Sequence, residues 1–67
     1  MKAKEMFRKL GYEFTVNKYC VSYDKDETCY FIFDRGKKEI SIGEYNISVD
    51  VLKAINKQVQ ELGWLGE

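Results

Sequence analysis

Three groups of side chains have the types and spacing to do chemistry or to hold a partner. The first is Asp24, Asp26 and Glu27, three carboxylates within four residues, a cluster that could meet a hard cation or a basic surface. A calcium loop also needs further oxygen ligands, a central glycine and a distal glutamate at set spacing. Those are missing, so the segment reads as a solvated hairpin tip suited to a basic partner, with no metal expected. The second group is basic: Lys2, Lys4, Arg8 and Lys9 near the start, then Arg35, Lys37 and Lys38 in a glycine-containing turn. If the two basic stretches faced the same way they would form a phosphate or nucleic-acid surface. The third is the run Tyr30-Phe31-Ile32-Phe33. It is superficially like strands on which RNA-binding sheets stack bases, but the glycine and basic residues of that motif do not precede it.

Catalysis has little to draw on. The chain contains no histidine, which removes the usual general base near neutral pH and every Ser-His or Cys-His dyad. There is no glycine-rich phosphate loop and no nucleophile elbow, and no cofactor is expected. Cys20 and Cys29 are too few for a disulfide framework or a structural zinc site. They fall on two expected hairpin strands, so their proximity depends on the register. They read as two reduced, partly buried thiols.

The elements that must position these groups follow from periodicity. Ala3, Met6, Phe7 and Leu10 are spaced i, i+3, i+4, i+7, which predicts a helix from about Lys2 to Leu10, ended by Gly11. The period then becomes two: Tyr12, Phe14 and Val16 form one alternating set and Tyr19, Val21 and Tyr23 a second, either two strands or one bent strand. Residues 24 to 27 read as a polar loop. Thr28 to Phe33 read as the central strand, Asp34 to Lys38 as a turn with Gly36 available for positive φ, and Glu39 to Ile42 as a last strand. Ser48 as N-cap, Asp50 in the first turn and an Ile47–Leu52 staple introduce a second helix, expected from about Val49 to Leu62 and closed by Gly63 and Trp64.

The expected fold is therefore one α+β domain spanning residues 1 to 67. A three- to four-stranded antiparallel meander is flanked by an N-terminal and a C-terminal helix, both on one face of the sheet. The predicted core is Met6, Phe7, Leu10, Phe14, Val21, Phe31, Phe33, Ile40, Ile42, Leu52, Ile55, Val59 and Leu62, with Trp64 at its edge. If Phe31 and Phe33 face the helices, Tyr30 and Ile32 point to an open face and become candidates for docking. A chain this short hides only about 60% of its unfolded surface, so a homodimer is expected. The opening residues lack a signal-peptide apolar block and no stretch is long enough to span a bilayer, so the expectation is a cytoplasmic protein with no membrane association.

Eleven basic and eleven acidic residues cancel, which argues against a general polyanion binder. The cancellation is local in origin, with four basic and one acidic side chain in residues 1 to 9, three acidic and one basic in 24 to 27, and three basic in 35 to 38.

Three stretches carry a family resemblance: Lys2-Ala3-Lys4-Glu5-Met6-Phe7 through Leu10-Gly11-Tyr12, Phe31-Ile32-Phe33-Asp34 with Lys38-Glu39-Ile40, and Leu52-Lys53-Ala54-Ile55-Asn56-Lys57 through Glu61-Leu62-Gly63-Trp64. In these the chain resembles, over nearly its full length, the small and mostly uncharacterised accessory proteins encoded by phages and prophages of Gram-positive bacteria. The resemblance implies a protein acting in a bacterial cytoplasm, where such proteins often bind and inhibit a host or anti-phage defence protein. It transfers no site residue. The expected function is a non-enzymatic protein-binding module using Tyr30, Ile32, Asp24, Asp26 and Glu27. The alternatives are a nucleic-acid-associated regulator using Lys2, Lys4, Arg8, Lys9, Arg35, Lys37 and Lys38, and a phage accessory protein that only self-assembles.

Overall fold

A computed structural model describes residues 1 to 44 and 46 to 65. The element order is α1 (Ala3–Lys9), β1 (Glu13–Val16), β2 (Cys20–Asp26), β3 (Cys29–Asp34), β4 (Glu39–Ile42) and α2 (Val49–Glu61). The four strands form one antiparallel meander in the order β1-β2-β3-β4, and residues 12 to 23 make two strands joined at Asn17, whose side chain accepts from the amides of Tyr19 and Cys20.

Both helices end by the same device. Gly11 and Gly63 adopt φ of +94° and +73°, a region that costs any residue with a Cβ. The amide after each glycine reaches back five residues: Tyr12 N–H donates to the Phe7 carbonyl at 3.0 Å and Trp64 N–H to the Val59 carbonyl at 3.1 Å. These are Schellman closures, and the first is sealed by the Phe7 and Tyr12 rings meeting edge to face at 5.7 Å. Ser48 caps α2 as expected, its hydroxyl accepting from the Val51 amide.

The core lies between the sheet and the two helices. Phe7, Tyr23, Phe31 and Phe33 are its largest fully buried side chains, with the Phe7 and Tyr23 rings stacked at 3.9 Å. Met6, Leu10, Phe14, Ile40, Val59, Leu62 and Trp64 pack around them as expected. Two expected core residues do not: Leu52 is 57% exposed and Ile42 45%. The cause at Leu52 is the phase of α2. The residues turned inward are Val51, Ala54, Ile55 and Gln58, one step round the helix from the stripe that begins at Leu52. Small Ala54 and Ala3, both fully buried, let the helices approach closely, and the Ala3 amide donates to the Glu61 carboxylate at 2.8 Å. Ile42 is exposed because β4 is an edge strand that α2 does not fully cover. The staple residues Ile47 and Leu52 also stay largely exposed.

Further corrections concern the turns and the cysteines. β2 continues through Asp24 and Asp26, which pair with Tyr30 and Cys29 across a bulge, so the expected polar loop shrinks to Glu27 and Thr28. In the β3–β4 turn the positive φ falls on Lys38, at 56°, and Gly36 does not need it. The Asp34 side chain takes the Gly36 and Lys37 amides at 3.0 Å each and its carbonyl takes the Lys38 amide, so the left-handed residue is the one that closes the loop onto β4. Cys20 sits opposite Asp34 and Cys29 opposite Asp26, at opposite ends of the β2–β3 hairpin. Strand alternation also sends the two thiols to different faces, so they do not approach; both are free and half-buried.

Candidate functional site

Alternation along the strands, with both helices on one face, leaves the other face of the sheet open. Register sorts that face into three rows. At one end Glu13, Asp24 and Tyr30 lie side by side, with Gly43 continuing the row; in the middle are Thr15, Ser22, Ile32 and Ser41; at the other end are Cys20, Asp34 and Glu39. The expected docking residues Tyr30, Ile32 and Asp24 are thus brought onto one surface.

Tyr30 and Ile32 are half-buried on this face, less exposed than expected for an open surface. The reason at Tyr30 is Gly43. The tyrosine ring lies so close over the glycine that a Cβ there would overlap it, and the Gly43 amide donates to the Tyr30 carbonyl at 2.9 Å. An aromatic ring laid over a cross-strand glycine covers backbone that would otherwise be bare. The ring also forms one wall of a shallow concavity of about 410 Å³ lined with Glu27, Thr28, Ile42 and Glu44. Glu27, in the β2–β3 turn, therefore lies beside the Tyr30 end of the sheet at its β4 edge.

Asp26 serves its own turn. Its carboxylate accepts from the Thr28 amide at 2.8 Å and the Thr28 hydroxyl at 2.9 Å, and these bonds hold it below the ordinary carboxylate range. Glu44 is held from behind by the Tyr12 hydroxyl, which donates to it. Tyr12 is buried, and burial, followed by the hydrogen bond to Glu44 and then the Glu44 charge, pushes its phenol well above its usual range. Among the described residues no group of three or more potential ligands is placed to hold a metal ion.

The charges of the open face are one-sided. Glu13, Asp24, Asp34 and Glu39 point from it, and among the described residues it carries no Lys or Arg. Two of the cross-strand pairs oppose like charges directly, Glu13 with Asp24 and Asp34 with Glu39. Such pairs destabilise a sheet, by about 0.2–1 kcal/mol on the usual scale of cross-strand effects.

The basic candidates are not assembled into one surface. Lys2, Lys4, Arg8 and Lys9 are exposed along α1, on the helical side of the sheet, whereas Arg35, Lys37 and Lys38 sit in the β3–β4 turn. Arg35 donates through its guanidinium to the Asn17 carbonyl, tying two turns together, and the Lys4 ammonium rests 4.7 Å over the Phe14 ring.

Sequence reasoning missed Glu13, Asp34 and Glu39 as members of the face. The signal was present in the strand parity once the register is known: Asp34 lies two residues from Ile32 on β3, Glu39 two from Ser41, which pairs with Ile32, and Glu13 two from Thr15, which pairs with Ser22 beside Ile32. It also missed Tyr12, Tyr23 and Gln58 as buried residues. Tyr23 shares its parity with Val21, and its hydroxyl donates to the Gln58 side-chain oxygen at 2.5 Å, which is why a glutamine can be buried in α2.

The fold and face define a small α+β meander with two helices on one side and an acidic sheet surface on the other. Compared with protein-family models, curated proteins and solved structures, the chain matches none. No described helix is long and apolar enough to cross a membrane.

Proposed function

We propose that the protein is a non-enzymatic protein-binding module whose open sheet face docks on a basic surface of its partner. The observation that carries this is the pair of like-charge oppositions, Glu13 with Asp24 and Asp34 with Glu39, on a face that among the described residues has no Lys or Arg. Asp34 also holds the Gly36 and Lys37 amides of its turn, but no such bond accounts for Glu13 beside Asp24 or for Glu39 beside Asp34, and residues that cost stability on a surface are kept where function uses them. Ile32 supplies an apolar centre, the Tyr30 ring a flat amphipathic contact, and the carboxylates at both ends a rim that complements Lys and Arg. The resemblance to phage accessory proteins supports the narrower role of an inhibitor that occupies a working surface of a host or defence protein in the bacterial cytoplasm.

The test is capture from nuclease-treated bacterial lysate on immobilised protein. Wild-type protein is expected to retain a partner that elutes as salt rises, because the rim charges are screened. Ile32→Lys, which alters the face without entering the core, abolishes retention, while Lys4→Glu with Lys9→Glu leaves it intact. Retention lost on nuclease treatment or with the helix variant, and unaffected by Ile32→Lys, overturns the proposal in favour of a nucleic-acid surface.

A further inference from the structure

The edge strand β4 carries an interaction surface of a second kind. Gly43 N–H donates to the Tyr30 carbonyl, so Tyr30 and Gly43 are a hydrogen-bonded pair. In an antiparallel ladder bonded and non-bonded pairs alternate, so Ile32 with Ser41 and Asp34 with Glu39 are bonded as well. The residues between them, Ile40 and Ile42, therefore turn their N–H and C=O groups away from β3, toward the free edge. Apolar surface accompanies this row. Ile42 is 45% exposed, Ile47 39% and Leu52 57%. Asp50 and Lys53 line a groove with Met6, Lys9 and Leu10 of α1. Leu52, two residues on from Asp50 and so about 200° round the helix, lies on the flank of α2 away from α1. Since α1 lies over β1, with Lys4 on Phe14, that flank overhangs the β4 side.

We propose that this edge binds a second copy of the chain, β4 against β4, in an antiparallel pair about a two-fold axis through Ser41. This register sets Ile40 opposite the second copy's Ile42 and the converse, so all four outward groups of each strand find partners in four backbone hydrogen bonds. It also brings Lys38, in the turn before β4, toward Glu44 just beyond it, twice over, an opposite-charge complement at the ends of the pairing. Slipping the register by two residues centres the axis on Ile40 or Ile42 and loses both features, and slipping by one puts the isoleucines on the wrong face. The contact is self-complementary, as a closed dimer requires. The β1 edge also turns two residues outward, Phe14 and Val16, but there the Lys4 ammonium lies over the Phe14 ring, a charge beside the edge that β4 does not carry. The pairing leaves the open face free and joins two copies of it into an eight-stranded sheet, so it stands or falls separately from partner docking.

Sedimentation equilibrium of the wild-type protein combined with amide exchange tests it. The expected mass is twice the 7.9 kDa of the chain. The Ile40 and Ile42 amides are expected to exchange slowly at dimer concentrations and to lose that protection on dilution. Ile42→Lys yields a folded monomer with both amides fast, and Val16→Lys on the other edge leaves the dimer intact. A wild-type protein of single-chain mass with fast Ile40 and Ile42 amides overturns the proposal. So does a dimer that survives Ile42→Lys and dissociates with Val16→Lys.

Discussion

Tyr23 and Gln58 show how one buried polar pair fixes the phase of a helix. The phenol needs an acceptor because its ring is stacked against Phe7 in the core, and only the inward face of α2 can supply one. Tyr23→Phe leaves the Gln58 carboxamide without its partner and is expected to cost about 1–3 kcal/mol in urea denaturation. Replacing both, Tyr23→Phe with Gln58→Leu, recovers part of that loss, and the double-mutant cycle measures the coupling. The same burial makes ionisation of Tyr23 unfavourable, raising its phenol to about 12, with the Glu61 charge adding to the effect; Tyr12 moves in the same direction. Because the folded values lie above the unfolded value of about 10, the stability these groups contribute is full below pH 10 and is lost as pH rises through the folded values. Absorbance at 295 nm is expected to show Tyr12 and Tyr23 ionising only together with alkaline unfolding.

The element scale is where the sequence was most legible and also where it misled. The glycines that end the helices, Gly11 and Gly63, the Ser48 cap and the order of helices and strands rest on local chemistry, a glycine at C′ or a hydroxyl at N-cap, and each stands in the structure as read. The phase of α2 does not. Leu52 and Val51 are adjacent apolar residues, each continuing a stripe through Ile55 and Leu62. What decides between them is tertiary: the room that Ala54 makes for α1, and the acceptor that Tyr23 needs. Chemical denaturation is expected to separate the two phases. Ile55→Ala costs about 2–5 kcal/mol by opening a cavity, whereas Leu52→Gln on the exposed flank stays within about 0.5 kcal/mol. The acidic segment after Tyr23 misled in a similar way. Composition made it a loop, yet pairing with β3 draws Asp24 and Asp26 into the ladder and turns Asp24 toward the open face.

At the scale of the whole molecule, neutrality conceals an asymmetry. Exposed lysines lie along the helices and in the turns, while among the described residues the charges of the open sheet face are carboxylates alone, and this division became visible only when the register placed Glu13, Asp34 and Glu39 beside the residues singled out from the sequence. The open face, Tyr30 and Ile32 were legible from strand parity; Asp34 shares that parity on β3 but reads as turn chemistry, and Glu13 and Glu39 stayed hidden because parity cannot be carried across turns of unknown length. A trade between stability and binding follows. Glu13→Lys and Glu39→Lys each replace a like-charge opposition by an opposite-charge one. Each is expected to raise the thermal midpoint, corresponding to about 0.2–1 kcal/mol, while weakening partner capture.

The measurement that tests the docking face most directly is the amide-exchange footprint of the chain with its captured partner bound. Added protection over the free chain at Thr15, Ser22, Ile32 and Ser41, with none along α1, is the predicted result. Added protection confined to α1 and the Arg35–Lys38 turn, with the middle row of the sheet unchanged, contradicts it.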